Sequence, residues 1–317
     1  MGQQVKVLYI AGHGRCGSTI LGQALGEVEG FTHVGELLEL WDAIASGKDP
    51  CGCGAPLVAC NMWGDVLKAA YGGLHESLVS QMLQFHHRDA HAYTLLRTTT
   101  SRGLRILQRH LAEPLARYER LYCAIQRVFN CDLIVDSSKS PFYGYVLQLM
   151  EGIDPYVVHL TRDPRASAYS WLRRTAQRGG WLAKRHKSPL ASSITWNYRN
   201  GVVEVMGKSK RFRRPPLCLR YEDFVANPRR TLQRILSFVG VTSSSLPLQD
   251  EHSLNLKIQH TVSGNPNRFK TGKIDIREDL AWKTEMKRRD RMLVTAATWP
   301  LLIKYGYASG STNSVEP

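Results

Sequence analysis

AGHGRCGSTIL, positions 11–21, decides how the rest of the chain is read. It follows an apolar run, Val5–Ala11, and leads into a helical pattern, Ser18–Val28. Gly12 and Gly17 stand at the separation of the phosphate loop G-x-x-x-x-G-K-[ST], but Ser18 occupies the place of the lysine that reaches the β- and γ-phosphates. A glycine loop opening a helix still gathers backbone N–H groups and the positive helix end around an anion. Arg15, inside the loop, adds a planar fork of donors suited to an oxyanion. The alternatives are a triphosphate site without its cation, an intact site for another anion, and a tight turn with no ligand.

Outward from the loop, further strand-like runs lie at Phe31–Val34, Asp132–Val135, Tyr156–Thr161 and Leu217–Leu219, with helical periodicity between them. This alternation predicts a three-layer α/β fold, a P-loop-like parallel sheet with helices on both faces. Pro164 suits the first position of a helix over Arg165–Gln177. Asp223–Val239 places Phe224, Leu232, Ile235, Leu236 and Val239 on one helical face, ended by Gly240. Residues 47–130 read as helices without a strand, a helical insertion that serves as lid or acceptor element. We expect one domain over residues 1–308, with the polar tail 309–317 disordered. The stretch from Trp299 to Tyr307 reads as helical core.

In an open α/β sheet, ligands bind beyond the carboxyl ends of the strands. Those ends deliver Gly35-Glu36, Asp136-Ser137-Ser138-Lys139, Arg162-Asp163 and Arg220-Tyr221 to the rim that holds the glycine loop. LIVDSSK has the form of a strand whose Asp136 holds magnesium, so a Mg-dependent P-loop kinase of small molecules, with Asp136 and Thr19 on the ion, is one reading. Asp136 as a turn or cap residue is another. Lys139 is our choice for the cation missing from the loop. In HLTRDPRASAYS, Arg162 ends a strand, while Ser167, Ser170 and Arg174 share a helix face. One arginine and one serine suit an isolated phosphate; an exposed polar helix face is the alternative.

The net charge of +15 points to an anionic partner. Between Arg162 and Arg214 there are fourteen Lys/Arg against Asp163 and Glu204. A basic nucleic-acid-binding protein is the non-enzyme reading, but aromatic and basic residues are not interleaved as a stacking platform requires. Seven cysteines, an odd number, favour a reducing compartment. The apolar run at the N-terminus is too short for a signal peptide, Lys6 spoils a myristoylation motif, and no stretch reaches the roughly 18–20 apolar residues of a membrane span. We expect a cytoplasmic protein.

Together GRCGST, LTRDPRASAYS, LRYEDFVANP and GNPNRFKTGK, in that order, resemble the sulfotransferases that use 3′-phosphoadenosine 5′-phosphosulfate (PAPS). The resemblance runs from about Val5 to Trp282 and is weakest over 47–130. It implies that Arg15, Cys16, Gly17, Ser18 and Thr19 surround the 5′-phosphosulfate, that Arg162 and Ser170 bind the 3′-phosphate, and that Tyr221 lies beside the adenine. It places Arg268 and Lys270 in a loop closing over the 3′-phosphate, with spacing that departs from the tighter Arg-Lys-Gly of cytosolic members. Glu36 matches the catalytic base of carbohydrate- and protein-tyrosine-type members; His13 and His33 are possible substitutes, each more simply structural. Sulfuryl transfer resembles phosphoryl transfer in its loose, in-line transition state. The group carries less charge than a terminal phosphoryl, so Arg15 and Lys139 with the loop N–H groups suffice without a metal. The implied function is sulfuryl transfer to a hydroxyl acceptor: sugar, lipid, small molecule or peptide tyrosine. The residues choosing among them fall in 47–130 and 175–195.

Cys51-x-Cys53 and Cys60 form a compact group among glycines. Three thiolates and a fourth ligand would hold zinc, but the spacing matches no standard site. We expect free cysteines in a glycine turn, and no metal.

Overall fold

Val5–Gly12 forms β1, the central strand. Val5, Val7, Tyr9 and Ala11 enter one apolar cluster and Leu8 and Ile10 another, the two-residue alternation of a strand covered on both faces. The computed structural model describes residues 4–89, 101–178, 188–209, 213–242 and 245–308. Four more strands, β2 (Phe31–Gly35), β3 (Leu133–Lys139), β4 (Ile153–Thr161) and β5 (Leu217–Arg220), complete a parallel sheet of order β2-β3-β1-β4-β5. All five strands expected from the sequence are present, each within three residues of its expected bounds at either end except the polar end of β3.

Helices form the two outer layers. On the Leu8 side, α1 (Ser18–Gly26) contributes Leu21 and Leu25 to the core. The opposite face is covered by α2 (Leu40–Ser46), α3 (Asn61–Tyr71), α4 (Glu76–Gln84), α5 (Ser101–Phe129) and α6 (Pro141–Leu147); Trp41, Trp63, Leu121 and Tyr143 from these helices share one apolar cluster with Val7 and Tyr9. The described part of 47–130 contains helices and no strand, and it covers this face together with α2 and α6. Next come α7 (Pro164–Arg178), begun by Pro164, and α8 (Pro189–Gly207).

The expected helix Asp223–Val239 is two helices, α9 (Tyr221–Ala226) and α10 (Pro228–Phe238). Pro228 clashes with a helical residue before it, and Asn227 sits at φ −143° with its side chain accepting the Arg230 N–H at 2.9 Å. α10 shares the Leu8 face through Leu232, Ile235 and Leu236. An antiparallel hairpin of β6 (Ser253–Leu256) and β7 (Gly272–Asp275) was not foreseen. Its four-residue strands are too short for a clear alternation. Two further helices, α11 (Ala281–Glu285) and α12 (Arg288–Lys304), close the described chain.

Between β6 and β7, residues 257–271 form a strap along the carboxyl edge of β2. Val262 donates its N–H to the Val34 carbonyl at 2.8 Å and accepts from Glu36 N–H at 2.7 Å. The expected tail 309–317 lies outside the described residues, as do residues 179–187 of the proposed acceptor region. Among the described residues no helix is long and apolar enough to cross a membrane.

Candidate active site

The glycine loop joins β1 to α1. Gly17 caps α1 at φ +90° and offers no side-chain acceptor to the first N–H groups of the helix. A Cβ on Gly17 would lie 2.2 Å from the ring of Tyr221, which is why only glycine fits. Arg15 takes a left-handed backbone, φ +70°, and its Nε donates to Ser170 Oγ on α7 at 2.9 Å. The loop arginine and the α7 serine, assigned by resemblance to opposite ends of a ligand, touch each other.

The end of β3 is irregular in a useful way. Tyr9 pairs with Asp136 and Ala11 with Lys139, so β3 holds one residue more than β1 over this stretch. Such a bulge re-aims the side chains after it. Lys139, at φ +65°, donates to the Ser137 carbonyl at 2.9 Å and lies 2.5 Å from Glu36 Oε1. Both are largely shielded, with side chains 9% and 19% exposed, so the pair is screened less than a surface ion pair.

Asp136 is fully buried and points away from this rim. It accepts from Tyr122 OH at 2.7 Å, from Ser138 N–H at 2.9 Å and from Ser138 Oγ at 2.5 Å. Burial pushes its pKa up to about 6 against the pull of these donors. The carboxylate needed by the kinase reading is therefore committed to holding the β3 end. His33 is likewise structural: its ring nitrogens meet Gln259 Oε1 at 3.2 Å and Ser137 Oγ at 3.1 Å, and burial lowers its pKa to about 4. His13 is buried beneath the loop and does not line the cavity.

Arg162, at the end of β4, donates from Nη1 to the Arg15 carbonyl at 3.0 Å and lies 4.6 Å from the centre of the Tyr221 ring. Its own carbonyl accepts from Trp196 Nε1 on α8 at 3.0 Å. The Nε of Arg162 is buried without a hydrogen-bond partner.

These groups surround one cavity of about 440 Å³. Arg15, Gly17, Ser18, Thr19, Glu36, Lys139, Arg162, Ser170 and Tyr221 all line it. Cys16 turns into the core instead, and Ser167 is buried off the cavity. Arg268 is also elsewhere: buried, it donates to Asp49 Oδ1 at 2.6 Å and to the Pro50 carbonyl at 2.8 Å, and Lys270 is exposed outside the cavity. The strap's contribution comes from Ser263, Gly264, Asn265 and Asn267.

Sequence reasoning missed Arg173, Arg277, Glu39 and Asp279. Arg173, three residues beyond Ser170, was within reach of helical spacing. Arg277 carried no local signal, since only the hairpin returns it to the rim, where its carbonyl meets Tyr221 OH at 3.4 Å.

Six cations (Arg15, Lys139, Arg162, Arg173, Arg174, Arg277) face three carboxylates (Glu36, Glu39, Asp279) across this cavity. Burial, then the neighbouring Arg174, Arg162 and Arg173, lower the Arg15 pKa to about 10. It stays charged at neutral pH, and the strain of crowded cations is what a bound polyanion relieves.

A glycine-loop anion cradle at the carboxyl edge of a parallel α/β sheet defines the P-loop-like class of group-transfer folds. Within that class the chain belongs to the sulfotransferase family, whose profile matches residues 8–245. The sulfotransferase domain of the Synechococcus PCC 7002 olefin synthase has the same fold, with 19% identity, a TM-score of 0.50, and 93% of this chain and 95% of that one covered. The sulfotransferase domain of the curacin biosynthetic pathway aligns with 15% identity and a TM-score of 0.48 over 93% and 98% of the two chains. No curated protein matches this sequence. The family supports assignment of the chain as a sulfotransferase, an enzyme.

Proposed function

We propose that the chain transfers the sulfuryl group of PAPS to a hydroxyl acceptor, with residues 1–308 acting as one sulfotransferase unit. The observation that carries this is the cavity's imbalance of six cations to three carboxylates around an uncapped helix start. A bisphosphorylated nucleotide offers two separated anions to such a wall, and the Arg162 guanidinium is part of that wall. Arg15, Ser18, Thr19 and the loop N–H groups hold the phosphosulfate end. Arg162, Arg173 and Arg174 take the 3′-phosphate, with Tyr221 beside the base.

Glu36 takes the acceptor's proton as its oxygen forms the new bond to sulfur. Lys139 neutralises the bridging oxygen that departs with 3′-phosphoadenosine 5′-phosphate when the old sulfur–oxygen bond breaks. The Glu36–Lys139 pair keeps the base and the cation side by side before substrates arrive. All of this charge compensation comes from side chains and backbone dipoles.

Isothermal titration of the purified protein with 3′-phosphoadenosine 5′-phosphate and with ATP·Mg²⁺ tests the donor. The bisphosphate binds and competes with PAPS, while ATP·Mg²⁺ binds far more weakly. Tight ATP binding without a response to the bisphosphate overturns the proposal in favour of a kinase.

A further inference from the structure

Cys51, Cys53 and Cys60 surround an imidazole from the other end of the chain. His260, on the strap, brings its Nδ1 within 3.2 Å of Cys60 Sγ and 3.8 Å of Cys51 Sγ, and Cys53 Sγ lies 3.8 Å from Cys60 Sγ. All four donor atoms lie within 4.8 Å of one another. A tetrahedral zinc with Zn–S bonds of about 2.3 Å and Zn–N of about 2.0–2.1 Å requires ligand atoms about 3.5–3.8 Å apart. The observed spacings bracket that tetrahedron. We propose that Cys51, Cys53, Cys60 and His260 bind one structural zinc ion.

The surrounding backbone is organised for the four donors. Cys51 N–H donates to the Ala55 carbonyl and Gly54 N–H to the Cys51 carbonyl, each at 2.8 Å, which folds the turn on itself. The N–H groups of Cys53 and Ala55 are directed at the Cys51 and Cys53 sulfurs, which fixes where the two sulfurs lie in the turn. On the strap side, the His260 carbonyl accepts from Trp63 Nε1 at 3.0 Å, and Gly52 N–H donates to the Thr261 carbonyl at 2.9 Å. A Cβ on Gly52 would fall 2.3 Å from the Gln259 carbonyl oxygen, so the glycine lets the strap approach the turn. Two of the cysteines and their surroundings are buried, and four protein ligands leave no open position for chemistry, the pattern of a closed structural site.

The location gives the ion a task. Val262, two residues after His260, pairs with Gly35 and fixes the Glu36 backbone N–H. Ser263 to Asn265 then line the cavity. A zinc here staples the helical layer to the strap and holds the strap against the second strand end. The ion binds no reactant; it positions the wall of the site.

The test is metal content of the full chain, purified under reducing conditions without a metal-affinity step. Mass spectrometry of the digested metal should find one zinc per chain in wild type, and near none in Cys60→Ser or His260→Ala. Because those variants are at risk of misfolding, the decisive measurement is on wild type. Zinc is removed with a chelator and thiol reductant, and cobalt(II) is titrated back. One equivalent should produce thiolate-to-cobalt charge transfer and the intense ligand-field bands of a tetrahedral site. His260→Cys should retain one metal and shift those bands. Folded wild type that carries no zinc and gives no tetrahedral cobalt spectrum overturns the proposal, as does zinc that persists in every ligand variant. A native Cys53–Cys60 disulfide, found by mass mapping of unreduced protein, overturns it too.

Discussion

The sheet rim and the strap line the same cavity but are held there by different forces. At the rim, Lys139 and Arg162 sit at the ends of buried strands and Arg15 in the short loop between β1 and α1, and their positions follow from the sheet. The strap has little regular structure; its backbone bonds to Val34, Glu36 and Gly52, together with Arg268 on Asp49, tie it down. The rim therefore supplies fixed charge, and the strap supplies polar groups whose place depends on contacts made far away in sequence. Stored electrostatic organisation belongs on the first kind of support, because a site that must not reorganise needs rigid elements.

The largest expected effect breaks the rim at its centre. Glu36→Gln keeps the shape but removes the proton acceptor, so turnover falls by about 10²–10⁴-fold. Affinity for 3′-phosphoadenosine 5′-phosphate, read by calorimetry, stays within a few-fold. Unchanged turnover removes Glu36 as the base. Next comes Arg162→Ala, which strips a buried cation from both the loop and the ligand. Truncating such a group costs about 2–5 kcal/mol, so the bisphosphate should bind at least about 30-fold more weakly. Normal binding would show that α7 and the end of β4 do not form the 3′-phosphate subsite.

The boundary between rim and strap runs through His33, which touches Ser137 on β3 and Gln259 on the strap. Its native pKa of about 4 lies below the ordinary 6.5. Between those values the unfolded chain takes up a proton that native His33 refuses, so its stabilisation is full above pH 6.5 and lost as pH falls toward 4. Asp136, raised from 3.8 to about 6, acts in the opposite sense: its contribution is full below pH 3.8 and is lost as pH rises through 6. The two oppose each other in wild type. Against His33→Asn, the stability advantage of wild type in urea unfolding should shrink by about 2–3 kcal/mol from pH 6.5 to pH 4. A constant gap would mean that native His33 titrates normally and the joint is open to water.

Legibility in the sequence follows the same division. The five strands were readable because each buried run is local, and the glycine loop because its spacing is a local constraint on backbone conformation. Glu36, Lys139 and Arg162 were readable from a rule about strand ends, since a parallel sheet puts all those ends on one edge. Arg277 and Asn265 obey no such rule. They reach the cavity through a hairpin of four-residue strands, too short to show a pattern. The cysteine group was visible, but its fourth member, His260, lies 200 residues beyond Cys60, and only folding brings the two together. The helix expected over Asp223–Val239 kept its apolar face; the Asn227-Pro228 pair broke it without altering which residues are buried. In the expected core stretch 299–307, by contrast, only Leu302 and Tyr307 are buried, and Trp299 and Ile303 are half exposed.

Arg268 sharpens the comparison furthest, because sequence resemblance and geometry disagree about it. Resemblance puts it over the 3′-phosphate, whereas the fold spends its guanidinium on Asp49 and Pro50, with Nε and Nη1 buried without partners. As a clip, it joins the strap to the cysteine turn, and its loss should act on stability more than on the ligand. Arg268→Ala should lower unfolding free energy by about 1–3 kcal/mol, the cost of breaking charge-assisted hydrogen bonds. Bisphosphate affinity should change by less than about threefold, in contrast to Arg162→Ala. An equal loss of affinity in the two variants would place both arginines on the nucleotide. The strap would then be a closing element, and the Asp49 contact its open state.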